Sequence, residues 1–574
     1  MRMLLQLALM VLMSCQLVRS EPVVSTTSGI IDGLAKNTTN GLVLQFLGVP
    51  YAEPPVGPRR FQKPAPFLPR TSTLNGTKYG QSCIQSGSEG TAEDCLTLNI
   101  FVPRTLKPSE NRSIMVWIHG GAFMIGSSSV YDGSELSLRG DVIVVTMNYR
   151  LGLLGFFSTE DERAPGNYGL WDQKLAIEWV KDNAAAFGGN STSITIFGES
   201  AGGSSVVLQA MSLSNTNVFQ RAIAQSAYGM EPHVLTSGWA EKVTRMSKIL
   251  NCTDQSELML CLRSKNTADI LKAQDQLAIP FDKSSRFLLG QQIGPVKDGD
   301  LLTDSLENLA QGSTFRLVDF MAGFNDGDGG VYGYTLVAMQ ATHNFSYTRG
   351  IPKNIFCDVF AKALAEQYFP YRLGAADAIC DRYTVSNDLI GQSRAILEAL
   401  RDSSFSVYTI RTVREHSQSR ETATYLYQFS HKPAFQILQH IPPWHLGANH
   451  ADEIAFEFGP RSIYPEPYRS NVSPEEEALT HTIMSYIANF AKHGNPNGVG
   501  LPSWPEFKKG RRSYMNLNLT SESGVNLLKE TMEFWDQLRH ENERAVSSKA
   551  SVNMSAATTF WNCILFIGFV LLGR

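Results

Sequence analysis

No apolar run in the sequence reaches the ~20 residues that a membrane-crossing helix needs. The two that come nearest, residues 4–13 and 560–572, lie at the two ends of the chain. There is no C-x-x-C repeat and no H-E-x-x-H, so the spacing of a zinc site is missing and neither a metal nor a cofactor is expected. Positive charge is not in excess. The chain carries 50 Lys and Arg against 54 Asp and Glu, a net charge of −4, which excludes a nucleic-acid footprint. No segment repeats, and no linker long enough to divide residues 21 to 540 interrupts them. The 574 residues therefore read as one large domain, not the three or four that length alone suggests.

What is present at the ends reads as addresses. Residues 1–20 form a signal peptide: Arg2 gives the positive start, Leu4 to Met13 the apolar run, and Val18 and Ser20 the small residues before cleavage. Residues 546–574 hold a polar spacer and the apolar tail Phe560 to Leu572. Small residues, spacer and tail in that order form a glycolipid-anchor signal, with Ser548 as the preferred attachment site and Ser551 as its rival. Such a chain passes through the secretory pathway and ends outside the cell, held at the surface by its anchor or otherwise secreted. Nine sequons agree with that route: Asn37, Asn75, Asn111, Asn190, Asn251, Asn344, Asn471, Asn518 and Asn553. Six cysteines remain once Cys15 and Cys563 are set aside with the two ends. They allow fifteen connectivities, and pairing in chain order closes the shortest loops: Cys83–Cys95, Cys252–Cys261 and Cys357–Cys380.

Between these ends, residues 21–545 alternate strand and helix signals. Ile114–Ile118 and Asp141–Met147 read as strands buried on both faces, with Ser193–Phe197, Arg221–Ser226, Leu317–Gly323 and Thr424–Phe429 as further strands. Asp172–Phe187 and Ser204–Met211 read as helices, and residues 29–33 with 42–49 as a small hairpin. Residues 50–70 read as a surface loop. This is an α/β protein with a large, mostly parallel sheet, flanked by helices and carrying helical insertions near 230–310 and 330–420.

The stretch with chemical content is Gly198-Glu199-Ser200-Ala201-Gly202, a G-x-S-x-G between a strand and a helix. That context defines a nucleophile elbow, whose sharp turn needs small neighbours. A serine hydroxyl needs a base held by a third group. Downstream, His450 sits in the loop Leu446 to Glu453, with His445 as its rival and His431, His440 and His481 weaker. Asp328 lies in a turn after a strand, with Asp326 as the alternative. Backbone N–H groups at Ala201 and in His119-Gly120-Gly121-Ala122 are placed to hold an oxyanion.

Six stretches together resemble the type-B carboxylesterase and cholinesterase family over nearly the whole mature length. They are Glu93 to Ile100, Trp117 to Phe123, Asn148-Tyr149-Arg150, Gly166 to Leu170, Phe197 to Gly203 and Ala224-Gln225-Ser226. The resemblance implies an α/β-hydrolase fold and hydrolysis of small-molecule or lipid esters through an acyl-enzyme. It implies Ser200, Asp328 and His450 as catalytic residues, Gly121, Ala122 and Ala201 as oxyanion donors, and Glu199 and Ser226 in support. Gly447 to Glu453, and Asp in place of Glu at 328, look like the bile-salt-activated lipase branch, which implies a bile-salt activator; general carboxylesterases are near neighbours and the alternative within the family. A cholinesterase is expected to hold choline on an indole in its first disulfide loop. The residues between Cys83 and Cys95 contain no aromatic side chain. A non-catalytic cell-surface adhesion module is the remaining alternative.

Overall fold

The computed structural model describes residues 21–548 apart from 232–233, 278–292, 313, 386, 420 and 440. The expected signal peptide, the tail beyond Ser548, Asn553 and His440 lie outside the described residues. Eleven strands form one sheet: β1 Leu34–Thr38, β2 Gly41–Pro50, β3 Thr97–Pro103, β4 Arg112–Ile118, β5 Ile143–Met147, β6 Gly189–Glu199, β7 Arg221–Gln225, β8 Asp319–Asn325, β9 Thr424–Phe429, β10 Ser513–Leu517 and β11 Glu522–Val525. Their order across the sheet is β1-β2-β3-β5-β4-β6-β7-β8-β9-β10-β11. From β5 through β10 every pairing is parallel, while the strands at both ends join antiparallel. A parallel sheet needs helices on both faces. Accordingly every residue of β4 and β5 is buried.

Two helices follow directly from the reading of the sequence, with shifted ends. The first, α1, spans Tyr168–Asn183, and the second, α2, spans Ala201–Met211 with every residue buried. The expected α1 end at Phe187 is instead a 3₁₀ turn, Ala184–Phe187, closed by Gly188 at φ +74°. Strand β6 starts earlier than expected, at Gly189, with an irregularity before Ile194.

The expected hairpin is corrected. Residues 29–32 pair with Val23–Thr26, and β2 pairs with β1. Alternation in these short runs fixes which face each residue takes but not which strand lies alongside. The Pro- and Arg-rich stretch 50–70 is not wholly superficial either. Arg60 is buried and bridges Glu93 at 2.5 Å, while Glu53 accepts from Arg70 at 3.0 Å.

The cysteines pair in chain order. Cys83–Cys95 closes a loop whose Gln85 is clamped to Gly126: Gly126 N donates to Oε1 at 2.9 Å and Nε2 to Gly126 O at 2.8 Å. Among the described residues, no helix is long and apolar enough to cross a membrane.

Candidate active site

Ser200 stands between the last residue of β6 and the first of α2, at φ +58° and ψ −123°. A non-glycine residue holds such a backbone only when its surroundings enforce it. Here Ser200 N donates to the Gln225 carbonyl at 2.9 Å, and the Ser200 carbonyl accepts from Ser204 N at 2.8 Å. Space enforces it as well. A Cβ on Gly202 would stand 2.0 Å from Ile118 O, and one on Gly198 would stand 2.5 Å from the same atom. The glycines of the elbow are therefore fixed by the close approach of β4.

The loop after β4 lies against this turn. A Cβ built on Gly120 would stand 3.0 Å from Cβ of Ser200. Gly121 and Ala122 both have positive φ, +104° and +54°. Tyr149 supports the loop by donating to His119 O at 2.8 Å and stacking on the His119 ring at 4.5 Å. Burial lowers the His119 pKa to about 4, against a smaller opposing effect of the Gly120 carbonyl, so the ring is neutral. Beside Tyr149, Arg150 binds Asp172 of α1 through three bonds: its backbone N to Oδ2 at 3.0 Å, Nε to Oδ2 at 2.7 Å and Nη2 to Oδ1 at 2.6 Å. Ala201 opens α2, where first-turn N–H groups have no carbonyl within the helix and the dipole favours negative charge.

Asp328 and His450 come together from the ends of β8 and β9. Nδ1 of His450 lies 2.9 Å from Oδ1 of Asp328. The carboxylate is fully buried and further accepts from Asn325 N at 2.9 Å and from Ser226 Oγ at 3.1 and 3.0 Å. The rivals have other duties. Asp326 accepts from Ala448 N at 2.8 Å, and Gly327 N donates to Ala448 O at 2.8 Å, which zips the Asp328 turn to the His450 loop. His445 meets Gly327 O through Nε2 at 3.0 Å, and burial holds its pKa below the usual imidazole value.

One relation differs from expectation. Among the described hydrogen bonds none joins His450 to Ser200. Nε2 instead lies 3.0 Å from Oε1 of Glu199, the residue before the serine. Among the described residues no hydrogen-bond donor is aligned on that oxygen, so the contact is electrostatic in kind, an ion pair only when the ring is protonated. Catalytic hydrogen bonds are commonly misaligned before substrate binds. Burial pulls the His450 pKa down, but Glu199 first and then Asp328 outweigh it, and the imidazole is raised well above its ordinary value. Burial raises Glu199 in turn, with His450 pulling the other way.

This arrangement gives a pH prediction. To act as a general base His450 would have to be neutral, so activity is expected to rise with pH through the imidazole pKa. Glu199→Gln removes the largest single charge effect raising it. The acid limb of kcat/KM is expected to move to lower pH in that variant. A limb that stays in place, or moves up, contradicts the coupling.

Sequence reasoning did not find Phe405, whose ring lies 4.8 Å from that of His450. It sits in a π-helical turn, Asp402–Ser406, inside the second helical insertion. Such widened turns recur at functional sites, but the sequence carries no signal for this one.

A strained serine elbow at the carboxyl end of a parallel sheet, with acid and imidazole supplied by later strands in that order, defines an α/β-hydrolase. Residues 20–535 match the model of the carboxylesterase family. Liver carboxylesterase 1F of Rattus norvegicus is 33% identical over 90% of this chain and 94% of its own length. Cocaine esterase of Oryctolagus cuniculus is 34% identical over 90% of this chain and 96% of its own length. The medium-chain fatty acyl-CoA hydrolase precursor of Anas platyrhynchos is 33% identical over 91% and 93%. The chain belongs to the carboxylesterase family and is a carboxylic ester hydrolase.

Proposed function

We propose that hydrolysis proceeds through an acyl-enzyme on Ser200. Neutral His450 takes the serine proton as Oγ attacks the ester carbonyl, and Asp328 fixes the tautomer and stabilises the imidazolium. Gly121, Ala122 and Ala201 donate to the oxyanion, Ser226 holds Asp328, and Glu199 tunes the imidazole. His450 then protonates the departing alcohol, and water repeats the sequence on the acyl group. The observation that carries this reading is the 2.9 Å Asp328–His450 contact beside a serine held at φ +58°.

The substrates are lipid and other carboxylic esters, with bile salt as an activator. The first disulfide loop has no aromatic side chain on which to hold choline. A hydrolysis panel tests the range, running from short aryl esters through long-chain triacylglycerol, with acetylcholine included, with and without bile salt. Long-chain activity that appears only with bile salt is the expected result. Preferred turnover of acetylcholine contradicts this reading, and inertness toward every ester favours the adhesion module instead.

The protein is proposed to act extracellularly as a single catalytic domain, residues 21–545, anchored through glycolipid at Ser548. The three disulfides suit an oxidising compartment. Asn37, Asn75, Asn111, Asn251, Asn344 and Asn471 are exposed and open to glycans, whereas Asn190 and Asn518 are half-buried. Treatment of intact cells with phosphatidylinositol-specific phospholipase is expected to release the enzyme. Retention on the membrane contradicts the anchor.

A further inference from the structure

The short helix Ile454–Phe458, here α3, leads straight out of the loop bearing His450. Phe458 stacks on Phe197 of β6, with ring centroids 6.0 Å apart, and packs edge-on against Trp117 of β4 at 5.0 Å. The base-bearing segment is thereby fixed to the strand that ends in the elbow. Two carboxyl groups lie one turn apart on this segment, Glu453 at the cap and Glu457 within the helix, each only 2% exposed.

Each carboxyl group grips a side-chain amide. Glu453 accepts from Nδ2 of Asn325. That nitrogen also donates to Asn449 O at 2.7 Å, next to His450, while Asn325 N donates to Asp328. Glu457 accepts from Nε2 of Gln225. The carbonyl of Gln225 accepts the N–H of Ser200 at 2.9 Å, and a Cβ on Gly203 would stand 2.5 Å from that oxygen. One segment thus reaches the acid and base through Glu453 and Asn325, and the nucleophile through Glu457 and Gln225.

The walls of the cavity around Glu457 are otherwise largely apolar, with Ile483, Ile487 and Trp504 among them. An apolar side chain would fill the place without burying a carboxyl group. Burial raises the Glu457 pKa to about 8, with the Gln225 bond opposing, so the group holds its proton more readily than an exposed carboxyl and works through its hydrogen bond.

We propose that Glu457 is a positioning residue: by holding Gln225 it sets the elbow, so that Ser200 is aligned to His450 by the same segment of chain that carries His450. This inference rests on the reading of Ser200 as nucleophile. A misplacement of about 1 Å in such a pair costs on the order of 10²-fold in rate.

The test compares wild type, E457L and E457Q, with Ser200→Ala as the blank. Fluorophosphonate inactivation rates are measured together with kcat and KM for a 4-nitrophenyl ester, all per titrated active site. E457L is expected to lose between ~10-fold and ~100-fold in both rates with KM nearly unchanged. E457Q keeps an acceptor for Gln225 and is expected to recover most of the loss, with the pH profile of wild type at and below neutrality. If E457L does not accumulate in folded form, Gln225→Met removes the same bond from the other side. Wild-type rates in E457L, or equal losses in E457Q and E457L, overturn the inference alone. Failure of wild type to react at Ser200 overturns the underlying reading as well.

Discussion

Replacing Ser200 by alanine is expected to lower kcat for ester hydrolysis by on the order of 10⁴–10⁶-fold while leaving the fold and KM nearly unchanged. The size follows from the chemistry: without Oγ no acyl-enzyme forms, and only the oxyanion donors remain to assist water. The stability expectation follows from the structure. Among the described hydrogen bonds Oγ of Ser200 makes none, while the backbone bonds to Gln225 and Ser204 survive the substitution. Circular dichroism and thermal melting alongside initial rates check both halves. A variant that retains a tenth of wild-type turnover contradicts the assignment of the nucleophile.

Asp328→Asn is expected to cost on the order of 10⁴-fold in kcat, the scale found when a triad aspartate is replaced by its amide in serine proteases. The hydrogen bonds around Asp328 explain why so small a change matters. Asn325 N is a fixed donor and needs the carbonyl oxygen of the new amide. The amide nitrogen is then turned toward Nδ1 of His450, where Oδ1 now lies at 2.9 Å. Nδ1 must accept from it, so the ring carries its proton on Nε2 and cannot take one from serine. Ser226 can rotate its hydroxyl and does not rescue the arrangement. KM is expected to change little, because the acid does not reach the substrate. Loss confined to KM, or a rate within tenfold of wild type, contradicts the role given to Asp328.

Much of this was legible because the local chemistry is severe. Only glycine fits at 198 and 202, two residues either side of Ser200, so the pair marks the elbow in the sequence as clearly as in space. Strands buried on both faces appear as continuous apolar runs, and β9 was read with its observed bounds, Thr424–Phe429. Partnership was harder to read. The expected N-terminal hairpin has different partners in the structure because period-two alternation does not name a neighbour. The sequence reading places no strand at β1, β3, β10 or β11; β11 is four residues long and largely exposed, so it carries little apolar signal. The preference for His450 over His445 comes from its Gly- and Asn-containing loop and from the resemblance, two signals that do not place either ring in space. What separates them is tertiary: one ring meets Asp328 and Glu199, the other the carbonyl of Gly327. Phe405, Glu457 and the contact of Nε2 with Glu199 depend on side chains meeting across long stretches of chain, and local pattern holds no trace of them.

The most direct measurement is peptide mapping of the adduct left by a fluorophosphonate on the intact enzyme and on His450→Ala. A single adduct at Ser200, formed orders of magnitude more slowly without the imidazole, is the predicted result. An adduct elsewhere, or equal reaction with and without His450, would contradict a serine activated by that histidine.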